Sequence, residues 1–124
     1  MPPVNPNSLQ AMFVTFKAQG DILTLHTADP GTTKTNSRAP GNTDQATTWP
    51  TGSNGSGTGS TVACPVTVAS PTSPVDVTFI CLWNASGQHV ATYRIVDSGG
   101  TPFAVRFTTN GALNVTPTLA VVAA

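Results

Sequence analysis

The chain has 124 residues, 39% of them hydrophobic and only 8% charged, against about 25% charged in an ordinary soluble domain, so one small domain with a modest core is expected. Five Lys and Arg balance five Asp, Glu is absent, and the formal net charge is zero. Lys17, Lys34, Arg38, Arg94 and Arg106 stand singly among polar residues, which excludes the clustered positive patch that a nucleic-acid backbone or an anionic membrane surface requires.

Residues Pro2 to Asn7 carry three prolines and no periodic pattern, and read as an extended N-terminal arm over residues 1–7. This opening has neither the basic nor the apolar stretch of a secretory signal, so no export route is expected. From Ser8 the pattern changes. Leu9, Met12, Phe13 and Phe16 recur at i, i+3, i+4 and i+7, the stripe of an amphipathic helix over residues 8–20. Asn7 or Ser8 can cap it and Gly20 can end it. Its expected task is to cover an open face or edge of a sheet.

Everything downstream is short and alternating. Strands are predicted over Ile22–Thr27, Gln45–Trp49, Thr61–Ala69, Asp76–Trp83, His89–Val96, Phe103–Thr109 and Leu113–Val122. Asp76–Trp83 is apolar on both faces, which predicts a central strand. Ser86-Gly87, Gly99-Gly100 and Asn110-Gly111 punctuate hairpins, and the abundant Thr suits pleated surfaces. The expected architecture is mainly β: a single antiparallel β-sandwich of about seven strands over residues 21–124, with the N-terminal arm and one short helix. Two long polar loops, residues 32–44 and 50–60, flank the second strand. The latter holds the low-complexity run Thr51-Gly-Ser-Asn-Gly-Ser-Gly-Thr-Gly59, which reads as a mobile loop. No apolar run approaches the roughly 18 residues of a membrane-spanning helix.

Candidate chemistry is sparse. Asp97-Ser98-Gly99-Gly100-Thr101-Pro102 resembles the nucleophile segment of trypsin-like proteases, with His26 as an imaginable base. Val96 stands where that motif has Gly, Thr101 interrupts it, and a hairpin turn explains the same residues. Asp29 and Asp44 lack any metal-loop spacing, His26 and His89 stand on separate strands, and no phosphate-binding loop is present. Cys64 and Cys81 match neither a zinc nor a redox motif and are expected as free buried thiols. The sequons at Asn54, Asn84 and Asn114 read as chance matches in a chain without a signal peptide. Trp49, Trp83 and Tyr93 are candidate sugar-stacking platforms, although the two indoles are better placed to close a core. No catalytic, cofactor-binding or metal-binding residue is assigned, and an enzyme is not expected.

Three separated segments resemble a family of small virion proteins of tailed bacteriophages, of the tail-fibre or minor structural type. His26-Thr27-Ala28-Asp29-Pro30-Gly31 follows Leu23-Thr24-Leu25. Gln45-Ala46-Thr47-Thr48-Trp49 matches the end of a second segment, with Asn42-Thr43-Asp44 before it where the family carries Gly-Tyr-Ala-Arg. Val77-Thr78-Phe79-Ile80-Cys81-Leu82-Trp83-Asn84-Ala85-Ser86-Gly87 matches a third, and order and spacing agree from about Ser8 onward. The resemblance implies a non-enzymatic virion protein assembled in the bacterial host cytoplasm. A capsid decoration or minor capsid role, bridging neighbouring subunits, leads. A minor tail or tail-fibre-associated role is the alternative, and a carbohydrate-binding module a more distant one. The implied partners are other virion proteins and further copies of the chain, a trimer among the admissible oligomers. Candidate subunit contacts are Pro2, Pro3, Val4, Asn5 and Pro6 of the arm, Lys34 and Arg38 of the first loop, and Asn54 of the second.

Overall fold

A computed structural model describes residues 20–52 and 56–120. The arm, the helix expected over 8–20 apart from Gly20, and Asn54 lie outside the described residues. Within them the chain is mainly β, with ten strands and no helix. These are β1 (Ile22–His26), β2 (Gln45–Ala46), β3 (Ser56–Thr58), β4 (Val62–Val66), β5 (Val75–Val77), β6 (Phe79–Trp83), β7 (His89–Arg94), β8 (Val105–Phe107), β9 (Gly111–Val115) and β10 (Thr118–Ala120).

The strands do not form the one seven-stranded arrangement expected. They make a four-stranded antiparallel sheet in the order β2-β1-β6-β7 and three two-stranded antiparallel ribbons, β3–β10, β4–β9 and β5–β8. β6 is an interior strand of the large sheet, as its two apolar faces predicted. Two expected strands are each divided. Asp76–Trp83 breaks at Thr78, so that Val75–Val77 pairs with β8 while Phe79–Trp83 pairs with β1 and β7. Leu113–Val122 breaks at Thr116-Pro117, because proline cannot donate to a ladder. Conversely, Ser56–Thr58, inside the polar run expected as a loop, pairs with β10. Backbone bonds suffice there. The ribbon adds a threonine pair, Thr58 and Thr118 hydroxyls 3.2 Å apart, and Thr61 and Thr116 pair at 2.6 Å beside β4 and β9.

The register puts Leu23, Leu25, Ile80, Leu82, Ala91 and Tyr93 on one face of the large sheet. Leu23, Leu25 and Leu82 cluster there with Val62, Cys64 and Val66 of β4 and Val75 and Val77 of β5. Burial of such side chains stabilises by about 1.5–3 kcal/mol each relative to exposure. The other face carries Thr24, His26, Cys81 and Trp83, all fully buried. Gly20, at the entrance to β1, passes so close to β6 that a Cβ there would lie 2.6 Å from the Trp83 carbonyl oxygen.

Candidate functional site

The first long loop is tied to β1 in place of a missing strand. Thr27 N–H donates to the Ser37 carbonyl at 2.8 Å and Ala39 N–H to the Leu25 carbonyl at 3.0 Å. Asn42 completes the tie with its side chain: its amide oxygen accepts from Leu25 N–H (3.0 Å) and Arg38 Nε (3.2 Å), and its amide nitrogen donates to the Pro65 carbonyl of β4 (3.1 Å). One buried amide thus joins the loop, the large sheet and a ribbon. Gly41, at φ +71°, makes the turn beside it, where an added Cβ would collide with Thr67.

Lys34 and Arg38, expected as subunit contacts, converge within this loop. Lys34 Nζ lies 2.6 Å from one Asp44 oxygen and Arg38 Nη2 2.7 Å from the other. Partial burial pushes the Asp44 carboxyl up, but the hydrogen bonds from Lys34 and Arg38 outweigh it and hold the group below its ordinary range. Both cations therefore share one carboxylate of their own loop, and one net positive charge remains there.

Inside the sheet, Trp83, Thr24 and His26 form a buried chain. Trp83 Nε1 donates to Thr24 Oγ1 (2.7 Å), Thr24 Oγ1 lies 2.7 Å from His26 Nε2, and His26 Nδ1 lies 2.9 Å from the Asn36 carbonyl. A carbonyl can only accept, so Nδ1 carries the proton. Nε2 of the neutral ring then carries a lone pair, so the Thr24 hydroxyl donates its single hydrogen to it while accepting from the indole. Burial pushes the imidazole pKa below its ordinary value, Arg38 adds to the lowering, and the Asn36 carbonyl and Asp29 oppose it. Both ring nitrogens are engaged, and His26 is not assembled with Ser98. The Asp97 carboxylate instead caps its own turn, accepting from Gly99 N–H at 2.9 Å and Thr101 N–H at 3.0 Å. No group of three or more His, Cys, Asp or Glu among the described residues is placed to hold a metal ion. Cys64 and Cys81 are free and buried.

Among the described residues, an open region lies between β6–β7 and β8–β9. A cleft of about 250 Å³ is lined by Leu23, Ile80, Tyr93, Val115 and Pro117 among others. A second, of about 350 Å³, is lined by Ile95, Phe103, Val105 and Leu113 and shares Ile80, Val115 and Thr116 with the first. Together they form one apolar groove. Among the described residues, the large hydrophobic side chains that stay exposed are Tyr93 (48%), Val96 (45%) and Phe103 (42%), and Tyr93 and Phe103 stand on its walls. Arg94 braces the end of the groove, donating to the carbonyls of Thr78 (2.8 Å) and Phe103 (3.1 Å) while lying over the Phe79 ring. Of the aromatic candidates, Trp83 is interior. Trp49 packs partly against the core and donates its indole N–H to the Gly20 carbonyl at 2.9 Å, which leaves Tyr93 as the exposed ring. Phe103 and Val115 were not singled out from the sequence, because only the folded arrangement brings them beside Ile80 to line one groove.

No family model, no curated protein and no solved structure matches this chain.

Proposed function

We propose that the chain is a non-enzymatic structural protein of a tailed-bacteriophage virion, placed on the particle surface as a capsid decoration or minor capsid protein that bridges neighbouring subunits. The observation that carries this reading is the exposed apolar flank of Tyr93, Val96 and Phe103 on a chain of zero net charge. Large apolar side chains grouped beside a groove favour contact with another surface, and a nearly uncharged exterior offers little colloidal repulsion against it. The three segments behind the phage resemblance also belong together: His26–Gly31 ends β1, Gln45–Trp49 begins with β2, and Val77–Gly87 contains β6, so they occupy adjacent strands of one sheet. In this reading the sheet and ribbons act as one β-sandwich, and residues 1–7 provide the anchoring arm.

The deciding experiment is mass spectrometry and electron cryomicroscopy of purified particles whose genome encodes the chain. The expected result is the chain in the particle, with density repeated over the icosahedral shell and lost when residues 1–7 are deleted. Density confined to the tail would replace the capsid role with the minor tail role. Absence of the chain from purified particles would overturn both. A carbohydrate-binding module is favoured by one observation, the exposed Tyr93 ring beside Thr116 and Thr118. It requires glycan binding that Tyr93→Ala abolishes.

A further inference from the structure

The large sheet ends at β7 in an edge that no described strand covers. Ile95 N–H donates to the Thr78 carbonyl at 2.9 Å, and the antiparallel register pairs Tyr93 with Ile80 and Ala91 with Leu82. Hydrogen-bonded and non-hydrogen-bonded pairs alternate along such a ladder, so the odd residues bond to β6 and Thr92 and Arg94 turn their N–H and C=O outward. Among the described residues no strand pairs with that side of β7. Natural edges are commonly blocked by proline, lysine or a bulge. β7, His-Val-Ala-Thr-Tyr-Arg, has no proline or lysine, and the irregularity in its ladder lies at Leu82/Trp83, beside the His89 end. Its charged side chain does not guard the edge, because Arg94 is folded back over Phe79 and bonded to the carbonyls of Thr78, Ile95 and Phe103.

We infer that β7 is the contact of a symmetric dimer, in which the β7 strands of two copies pair antiparallel about a two-fold axis at Thr92 and join their sheets into one of eight strands. The strand is self-complementary in this register. Thr92 of one copy faces Thr92 of the other, a favourable cross-strand pair, and both present outward backbone groups. Tyr93 falls opposite Ala91 of the second copy, whose small side chain leaves room for the ring. The two Arg94 residues lie on opposite sides of the axis, whereas a register centred on Arg94 would set like charges face to face. Tyr93 and Ala91 share the groove face of the sheet, so pairing brings the apolar groove mouths of the two copies together across the axis and covers part of the exposed flank. This inference concerns self-association and does not rest on the virion reading: a chain absent from particles can still pair through β7, and a particle component can be monomeric.

The test is sedimentation of the full chain across a concentration series to about 100 µM, with amide exchange measured in the same samples. The expected result is a species of twice 12.7 kDa in which the Thr92 and Arg94 amides exchange at least tenfold more slowly than in the dilute monomer. Tyr93→Lys, at an exposed position, should give a folded monomer with those amides unprotected. A wild-type chain that stays monomeric overturns the inference, as does a trimer, or a dimer in which the Thr92 and Arg94 amides gain no protection. If Tyr93→Lys fails to fold, the dilution series on the wild type decides alone.

Discussion

Trp83 and Thr24, on neighbouring strands β6 and β1, are joined by a 2.7 Å hydrogen bond from indole to hydroxyl, and the same hydroxyl meets Nε2 of His26, whose proton the Asn36 carbonyl holds on Nδ1. With the indole donating to Thr24 and the Thr24 hydrogen directed at His26 Nε2, the neutral Nδ1–H imidazole leaves each of these three side chains paired. A proton added at Nε2 would confront the threonine hydrogen and force the hydroxyl to turn away.

The pH dependence of stability follows with a definite sign. Burial lowers the folded-state pKa of His26 below its ordinary 6.5, so below about pH 6.5 the unfolded chain binds more protons than the folded one. Stability should be complete above that pH, decline as pH falls from 6.5 toward the folded-state value, and then level off. The Asp44 and Asp76 carboxyls, held below their ordinary values in the folded state despite partial desolvation, lose their own contributions at still lower pH, from about 4 downward. Urea unfolding between pH 5 and 8 checks the first step. His26→Gln should flatten it, and a wild-type curve already flat across that interval would contradict the assignment.

Asn42→Ala should destabilise the protein by about 1–3 kcal/mol, the cost of leaving buried backbone groups unpaired, since it strips a partner from both Leu25 N–H and the Pro65 carbonyl. Asn42→Asp isolates half of that role. The carboxylate still accepts from Leu25 and Arg38 but has no hydrogen for Pro65. Chemical denaturation of the two variants should show both losses, and a wild-type midpoint for Asn42→Ala would refute the bridging role.

The strands with a clear apolar alternation were legible because their pattern is the one the core selects: Val62, Cys64 and Val66 are buried in β4 while Ala63 between them is exposed. β3 was not legible, since Ser-Gly-Thr offers no side-chain pattern and pairs through its backbone. The break at Pro117 had a signal in the proline itself, whereas Thr78 has the branched side chain of an ordinary strand residue and gives no warning. Asn42 was equally hidden. Its work depends on a loop folding back over β1, and sequence spacing carries no trace of that. Lys34 and Arg38 were picked out as cations, yet their shared partner Asp44, several residues on, decides what they touch.

The thiols should be inert in the native state. Burial pushes the Cys64 thiol up to about 11 and also raises Cys81, although the Thr92 hydroxyl opposes the shift there; both side chains are fully buried. Thiolate is the reactive form, so modification by a disulfide reagent at pH 8 should proceed only at the rate of unfolding, rising steeply with denaturant for both residues together. Rapid labelling of either cysteine without denaturant would show that its cover opens locally.

Thr78, at the break between β5 and β6, offers a gain in stability. Its backbone is fully used: its N–H donates to the His26 carbonyl at 2.9 Å, and its carbonyl accepts from Ile95 N–H and from Arg94. Its buried hydroxyl has no hydrogen-bond partner among the described residues. An unpaired buried hydroxyl costs about 1–3 kcal/mol, and valine has nearly the same shape without it. Thr78→Val should therefore raise the unfolding midpoint while leaving the backbone bonds at the break intact. A lowered midpoint would mean that the hydroxyl is satisfied in solution, and that the break is held by the side chain as well as by the main chain.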